Sequence, residues 1–461
     1  MTSPHIQTRR TIDRKWLVLI AIGTGSFMAA LDGSVVNTIL PILRTSFNSN
    51  VATIEWVVTV YLLVLSGLLL TFGRLGDLRG HRSVYVWGFA IFITGSALCG
   101  LAWSAAILVI FRGLQAIGGA MLASNSPAIV TGNFPAEQRG RAFGLVSTMT
   151  YLGLTAGPSL GGWLTQAFGW RTVFYINVPV GLLALVLSLI FIPKDSHYES
   201  GKRFDLAGAA VFLAGLVLLM FGLNKGAEWG WSSLSVLGPL AGAVALMAVF
   251  VLVERRSPDP LLDLSLFRIP LFSTSAVSAI LNYICVFSII FLMPFYLIQG
   301  RGLNPAQAGL LLTMQPVLMA ITAPVSGAFS DRVGSRRPGM LGMGVLAVGL
   351  FLLSRLSAES ELPLVLLGLA VAGAGTGTFI SPNTSALMGA APSTRQGIAS
   401  GVQAAARNFG MVLGIGLAAA IFTTHLAQNT VEAFYAGIDQ GFLVAAGVAV
   451  LGVVMSAIKI E

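Results

Sequence analysis

The sequence predicts an all-α integral membrane protein in which a six-helix unit is duplicated and two further helices are inserted between the copies. Hydrophobic residues make up 55% of the 461 residues and charged residues only 10%, whereas a soluble domain carries about 25% charged residues. About fourteen apolar runs are long enough to span a bilayer, which takes about 20 residues each. Two polar segments also recur at a constant separation, which indicates the duplication.

The predicted spans follow one another closely and are joined by short polar loops. They lie near residues 16–41, 52–76, 83–103, 105–132, 140–165, 170–192, 206–224, 234–253, 271–298, 305–330, 338–356, 362–388, 397–422 and 437–458. We therefore predict an N-terminal six-helix bundle at 1–192, a two-helix insert with its linkers at 193–268, and a C-terminal six-helix bundle at 269–461.

The basic residues predict the orientation of these spans. Of the 27 Lys and Arg residues, twenty fall on the same side as the N-terminus and five on the opposite side. The positive-inside rule then places both termini in the cytoplasm, so we expect a multi-pass protein of the cell (inner, cytoplasmic) membrane. The net charge of +9 is scattered over short loops, which argues against nucleic-acid binding. Cys99 and Cys285 lie in apolar runs, and nothing suggests a disulfide or a metal site.

Two loops carry the same pattern of glycine, aspartate and arginine. Residues 73–82 read GRLGDLRGHR and residues 327–336 read GAFSDRVGSR, so Asp77 and Asp331 are 254 positions apart. A second register, of 257 positions, relates Pro135–Gly157 to Pro392–Gly414. Such internal repeats are common in transporters.

These loops are candidate conformational switches. Asp77 can cap a helix N-terminus across the interface between the two bundles, and Arg82 can pair with acidic groups or helix C-termini. Contacts of this kind hold one conformation and break in the other; the alternative is a charged loop that only sets topology. The candidate switch residues are Gly73, Asp77, Gly80, Arg82, Asp331 and Arg336.

One carboxylate and one arginine lie deep inside separate spans. Asp32 precedes the outer end of its span by about nine residues, or roughly 14 Å, and Arg112 follows the outer start of its span by about eight, or roughly 12 Å. The two can therefore meet at one depth. Burial favours the protonated carboxyl and a nearby arginine the ionised one, so a changing separation could load and release a proton; the alternative is a static buried ion pair. Glu55, at the outer start of the second span, is expected to line the mouth and to pass protons or attract cations.

The fifth span is rich in glycine. Small residues four apart let a neighbouring helix approach closely, and Gly157-Pro158 removes a helix hydrogen bond and permits a bend. The glycine-motif positions are Gly144, Gly153, Gly157, Pro158, Gly161 and Gly162. The second copy has Gly414-Ile415 in place of Gly157-Pro158, so we expect the bend in one bundle only and interpret it as an asymmetric element that biases the direction of exchange.

These segments resemble the motifs of the major facilitator superfamily, and in particular its fourteen-helix drug:proton antiporters of the multidrug efflux type. The resemblance covers most of the chain. It rests on the spacing G-x8-G-x3-G-P-x2-G-G from Gly144, on the loop motif from Gly73, and on the runs Leu31–Pro41, Leu108-x3-Arg112-x2-Gln115, Trp170–Gly181, Phe204–Gly208 and Gln403-x3-Arg407-x2-Gly410. Leu78 and Ala116 depart from the family pattern, and the first of these departures is expected to weaken the latch around Asp77.

The resemblance implies two six-helix domains around a central substrate cavity. Polar residues of its expected walls are candidate substrate contacts, although hydrogen bonds between helices use the same residue types. They are Gln115, Asn125, Tyr151, Asn282, Tyr283, Gln315, Asn383, Gln403 and Arg407. Between Gly397 and Thr424 there are none of the extra acidic residues that some relatives use for cationic drugs, which leaves room for neutral, zwitterionic or anionic amphiphiles.

The predicted function is proton-coupled export of amphiphilic small molecules by alternating access, a membrane-transport activity that underlies antibiotic resistance. The expected partners are the substrate, protons and the lipid bilayer; we expect no enzyme activity, no cofactor beyond the proton gradient, and a monomer. An exporter or flippase of a lipid or lipid precursor remains an alternative with the same fold, and a non-transporting membrane scaffold is a third.

Overall fold

The computed structural model describes residues 13–49, 51–195, 205–230, 233–257, 260–426 and 430–458. These residues form an all-helical bundle. Its helices, in chain order, are α1 (Arg14–Ser46), α2 (Val51–Arg79), α3 (His81–Leu101), α4 (Ala105–Asn133), α5 (Ala136–Phe168), α6 (Thr172–Tyr175), α7 (Asn177–Phe191), α8 (Leu206–Trp229), α9 (Leu234–Arg256), α10 (Pro270–Pro294), α11 (Pro305–Leu312), α12 (Met314–Val333), α13 (Arg336–Ser354), α14 (Leu362–Ala390), α15 (Gln396–Leu426) and α16 (Val431–Ala457).

The predicted all-α membrane fold is confirmed, but the expected count of about fourteen spans is not exact. Within the described residues, 12 helices are long and apolar enough to cross a membrane. The two expected spans that fall short are those of α5 and α8. Helix α5 has 33 residues, but its glycines and polar residues lower its mean hydropathy. In α8 the described apolar stretch is the shorter segment Leu206–Leu219.

We call helices α1–α7 the first half and helices α10–α16 the second half. The same packing geometry recurs in both. Helices α3 and α4 cross at Gly118, where an added Cβ would lie 2.4 Å from the backbone nitrogen of Phe92. Helices α13 and α14 cross at Gly375, where an added Cβ would lie 2.3 Å from the backbone nitrogen of Leu346. These residue pairs follow the two repeat registers seen in the sequence, so the duplication extends to individual helix crossings.

The two halves contact each other through α5 against α12 and α2 against α15. Asp77 and Asp331 lie at one end of these helices, which we call the basic end because most of the Lys and Arg residues that the structure describes lie there. The insert, α8 with α9, packs against α2. The segment that connects the insert to the second half is fixed at the basic end, where the Glu254 carboxylate accepts from the Leu262 backbone N–H at 3.0 Å.

Candidate functional site

Asp32 lies at the centre of a buried hydrogen-bond network. Its Oδ2 accepts from Arg112 Nη1 at 2.7 Å, and its Oδ1 accepts from Gln115 Nε2 at 2.9 Å. Asn177 Nδ2 donates to the same Oδ1 at 2.7 Å. Asp32 and Arg112 are each only 1% exposed. The structure thus brings the predicted Asp32 and Arg112 into direct contact, with every partner of the carboxylate acting as a donor.

Arg112 is held on its other sides as well. Its Nη1 donates to Gln115 Oε1 at 2.5 Å, and its Nε donates to the backbone carbonyl of Val57 at 3.2 Å. The guanidinium also stacks on Tyr61, with Cζ 4.2 Å from the ring centroid. A buried arginine needs such partners, because an unpaired charge away from water is costly.

Helix packing explains why these side chains converge. Residues 112 and 115 are three apart on α4 and so share one face, which meets α1 at Asp32. Asn177 is the first residue of α7, and Ser96 of α3 accepts from both Asn177 and Gln115, at 3.0 and 3.2 Å. Sequence reasoning quoted Asn177 only as part of a motif and missed Ser96 and Tyr61. The available signal for Asn177 was a polar residue beginning an otherwise apolar span.

The network is confined to the first half. At the 257-residue register that relates the α3–α4 crossing to the α13–α14 crossing, Arg112 corresponds to Leu369 and Gln115 to Ala372. Both counterparts are fully buried, at 0% exposure. The two halves therefore share their packing but not their charges.

At the basic end, Asp77 binds a helix N-terminus of the other half. Its Oδ1 accepts from the Gly397 backbone N–H at 2.8 Å, and its Oδ2 accepts from the Ile398 backbone N–H at 3.1 Å. Both belong to the first turn of α15, where backbone N–H groups have no partner within the helix. His81 Nε2 lies 3.4 Å from Asp77 Oδ1.

Asp331 makes the corresponding contact from the second half to the first. It accepts from the backbone N–H groups of Gly140 and Arg141, near the start of α5, at 2.7 and 2.9 Å. A close backbone approach accompanies each contact. A Cβ on Gly73 would lie 2.3 Å from the Gly397 carbonyl oxygen, and a Cβ on Gly327 would lie 2.0 Å from that of Gly140. Each predicted aspartate thus binds a helix of the opposite half, and a close approach of two glycines lies beside each contact.

The other predicted switch residues lie nearby, but they do not all cross between halves. Gly80 has φ 91°, a left-handed conformation that favours glycine, between α2 and α3. Arg82 stays within the first half: its Nη2 donates to the Leu189 carbonyl near the end of α7 at 2.9 Å, and its backbone N–H donates to Asp195 at 3.0 Å. Arg336 begins α13.

The glycines of α5 serve two different contacts. At Gly144 an added Cβ would lie 2.5 Å from Pro324 Cα of the second half, whereas at Gly153 it would lie 2.5 Å from the Phe27 carbonyl oxygen of α1. Gly157 faces Ser34 and Gly161 faces Val35, both on α1 near Asp32. Gly162 differs, because nothing lies within 4 Å of an added Cβ.

The bend expected at Pro158 and the role expected of Glu55 stay predictions. Gly157 and Pro158 lie within the continuous helix α5, and the side chain of Pro158 is outside the described residues. Glu55 likewise belongs to helix α2, and its side chain is also outside the described residues. The contacts of the Pro158 and Glu55 side chains therefore enter no argument below.

The expected cavity residues divide into two groups. Several are buried in hydrogen bonds within the helix bundle. Asn125 donates to the backbone carbonyl of Phe72 at 3.1 Å, Asn383 to that of Ser275 at 3.0 Å, and Asn282 contacts Met343 Sδ at 3.4 Å. These three asparagines are buried, as is Gln115, which serves the Asp32 network; their expected role as substrate contacts stays a prediction.

The remaining five residues form the second group. Tyr151 of α5 packs against Met319, Ala320 and Ala323 of α12. Gln315 is 5% exposed, and Gln403 donates to the Thr384 hydroxyl at 2.5 Å. Tyr283 is half-buried and Arg407 is exposed.

These features define a class: a multi-pass helical membrane protein with duplicated halves, a buried charge network in one of them, and reciprocal contacts that join the halves at one end. The family model described as "Major Facilitator Superfamily" matches residues 22–253 and 275–460. The chain belongs to the Major Facilitator Superfamily of membrane transporters.

Curated relatives carry several transport names. The chain is 33% identical to the riboflavin transporter RibZ of Clostridioides difficile over 450 residues, covering 96% of this chain and 97% of that protein. It is 35% identical to the multidrug resistance protein Stp of Mycobacterium tuberculosis, over 90% of this chain and 77% of that protein. It is 34% identical to the tetracenomycin C resistance and export protein of Streptomyces glaucescens, with the same coverage of 90% and 77%.

Solved structures show the same fold at lower sequence identity. The human organic anion transporter MFSD10 (TETRAN) superposes with a TM-score of 0.69 at 17% identity, covering 96% of this chain and 99% of that one. The proton:xylose symporter XylE superposes with a TM-score of 0.67 at 15% identity, covering 95% and 94%. At these identities the likeness concerns the fold alone.

Proposed function

We propose that the protein is a proton-coupled antiporter of the cell membrane that exports amphiphilic small molecules by alternating access, as a fourteen-helix drug:proton antiporter would. The basic end is then cytoplasmic, with both termini on that side. The observation that carries the proposal is the buried contact between Asp32 and Arg112. Arg112 also contacts Gln115 and the ring of Tyr61. When the helices shift, the Asp32 carboxylate can therefore lose the arginine and take up a proton instead.

The energetics are adequate for such a cycle. One proton that moves down a potential of 100 mV supplies roughly 2.3 kcal/mol, enough for about a 50-fold gradient of a neutral substrate. No cofactor is needed, and a monomer suffices, because both halves of the cavity come from one chain. The names of the Stp and tetracenomycin relatives support drug export as the activity.

The experiment compares wild type with Asp32→Asn in everted membrane vesicles. A pH-sensitive dye reports proton movement when a substrate such as a fluorescent drug is added. We expect Asp32→Asn to abolish substrate-induced proton movement while protein level and membrane insertion stay unchanged. The matched control is Asp439→Asn, because Asp439 also pairs with an arginine, at 2.9 Å, but is exposed. Proton movement that survives Asp32→Asn would falsify the mechanism.

A dedicated carrier for one planar aromatic metabolite is the second candidate. The 33% identity to a riboflavin transporter over nearly the full length of both chains favours it. A tolerance screen with and without the protein, across cationic, neutral and anionic compounds, separates a broad exporter from a dedicated carrier. Activity on a long-chain amphiphile with no gain in drug tolerance would instead favour the lipid-exporter alternative.

A further inference from the structure

We infer that Arg407, together with Tyr61, Tyr151 and Tyr283, forms the binding site for the substrate, and that this site selects planar aromatic anions. The inference rests on the proposed function, since it assigns a substrate class to the same central cavity.

The position of Arg407 is the first step of the argument. It lies 11 residues after the start of α15 at Gln396, or about 16 Å along the helix, which is about half of the hydrocarbon thickness. Its side chain is exposed. Among the described residues it has no ion pair and no hydrogen bond. A cation at that depth is costly and faces a watery cavity or a ligand rather than lipid.

The surroundings of Arg407 place it between the halves. Helix α15 packs on α2 with Gly397 against Gly73 and Gly401 against Leu70, so Tyr61 of α2 lies at about the depth of Arg407. Tyr151 of α5 and Tyr283 of α10 also lie within electrostatic range of Arg407. Gly410 lies on the same face of α15 as Arg407, and an added Cβ there would lie 2.5 Å from Tyr283 Cβ. The missing side chain at Gly410 is what lets Tyr283 approach.

The chemistry of this group matches one kind of ligand. A guanidinium binds carboxylates and phenolates through charge-assisted hydrogen bonds and stacks on flat rings. Tyrosine rings add apolar contact area, and their hydroxyls donate to an anionic oxygen. Within the part of the chain that the structure describes, no ion pair joins Arg407 to a carboxylate that would compete for it. Organic cations would meet a like charge here.

Tyr61 connects this site to the buried network. Its ring lies under Arg112 at 4.2 Å, while its phenol also feels the charges of Asp32 and Arg407. An anion bound at Arg407 would therefore lie near the tyrosine on which Arg112, the partner of Asp32, is stacked.

The test uses two dyes with the same xanthene ring and opposite charge, fluorescein and rhodamine 123. Binding to the purified protein in lipid nanodiscs, without a pH gradient, is followed by fluorescence anisotropy. We expect wild type to bind fluorescein at least tenfold more tightly than rhodamine 123. Arg407→Gln should weaken fluorescein binding at least tenfold without weakening rhodamine 123, and Arg407→Lys, which keeps the charge, should retain an intermediate affinity. The matched control is Arg355→Gln, which removes an exposed arginine that pairs with Asp439 and should change neither affinity.

The inference and the proposed function fail in different ways. Two results overturn the anion site even if the vesicles show proton-coupled drug transport. One is that wild type binds rhodamine 123 as tightly as fluorescein; the other is that wild type and Arg407→Gln bind fluorescein with the same affinity. Selective fluorescein binding that depends on Arg407, combined with no proton coupling in vesicles, keeps the anion site and refutes the antiporter. Anisotropy needs folded protein, so each variant is first checked for a monodisperse peak in detergent.

Discussion

Asp77 and Asp331 are 254 positions apart, and each binds two backbone N–H groups of a helix in the opposite half. The two contacts together join the halves at the basic end. They are not equal, however. Asp77 is 3% exposed and has His81 within 3.4 Å, whereas Asp331 is only half-buried and has Ser335 at the position equivalent to His81.

This inequality predicts that Asp77→Asn opens the basic end more than Asp331→Asn does. An amide cannot accept two N–H groups as a carboxylate does, and it loses the charge that favours a helix N-terminus. Such caps contribute about 1–2 kcal/mol, which corresponds to a shift of roughly 5- to 30-fold in the conformational equilibrium. Distances between spin labels at the exposed positions Arg79 and Arg332 report the opening. Equal shifts for the two variants would contradict the prediction.

The packing of α5 on α1 predicts a difference between two glycines of one motif. Gly157→Ala would place a methyl group 2.5 Å from the Ser34 side chain, and overpacking of this kind costs about 1–3 kcal/mol. Because Ser34 lies two residues from Asp32, transport should fall severalfold or more. Gly162→Ala is the matched control, since its methyl group would enter open space. Uptake of a fluorescent substrate into everted vesicles measures both; loss of transport in Gly162→Ala would show that the motif acts otherwise than through packing.

Asn177 is predicted to position Asp32 for proton exchange. Asn177→Ala removes the 2.7 Å hydrogen bond to Oδ1 and leaves a buried acceptor with one donor fewer, a loss of about 1–3 kcal/mol for a charged acceptor. We expect the pH profile of transport to shift while substrate affinity in the absence of a gradient stays unchanged. Asn383→Ala, which removes a buried asparagine from the second half, should lower stability without shifting that profile. An unaltered profile in Asn177→Ala would rule out the positioning role.

The link between the insert and the second half gives a pH prediction. Burial works to raise the pKa of Asp263, but hydrogen bonds from Ser265 and the charge of Arg395 outweigh it and hold this pKa below its usual value. The carboxylate therefore contributes stability that is fully present above the unfolded pKa of about 3.9 and is lost as the pH falls through the folded pKa.

It follows that Asp263→Asn should lower the melting temperature by a similar amount at pH 7.5 and at pH 5.5. Below pH 4 the difference from wild type should shrink. Thermal unfolding of the purified protein, followed by intrinsic tryptophan fluorescence, measures this. A difference that grows on acidification would mean that the sign of the pKa shift is wrong.

Much of this molecule follows from local pattern. Apolar runs of sufficient length must form helices in a bilayer, because a lipid-exposed backbone has to satisfy its own hydrogen bonds, and a repeat at constant spacing must fold twice in the same way. Depth along a helix is set by a rise of about 1.5 Å per residue, which is why the meeting of Asp32 and Arg112 could be predicted from position alone.

Partners across helices could not be predicted in the same way, because they depend on how each helix is rotated about its axis. Polarity alone grouped Asn125, Asn282 and Arg407 as cavity residues, yet helix packing directs Asn125 toward the Phe72 carbonyl and leaves the Arg407 side chain exposed. Asn177 and Tyr61 join the Asp32 network only because α7 packs on α1 and α2 packs on α4 there. Spacing along the chain sets which residues share a depth and a face; the rotation and close approach of neighbouring helices decide which of them touch.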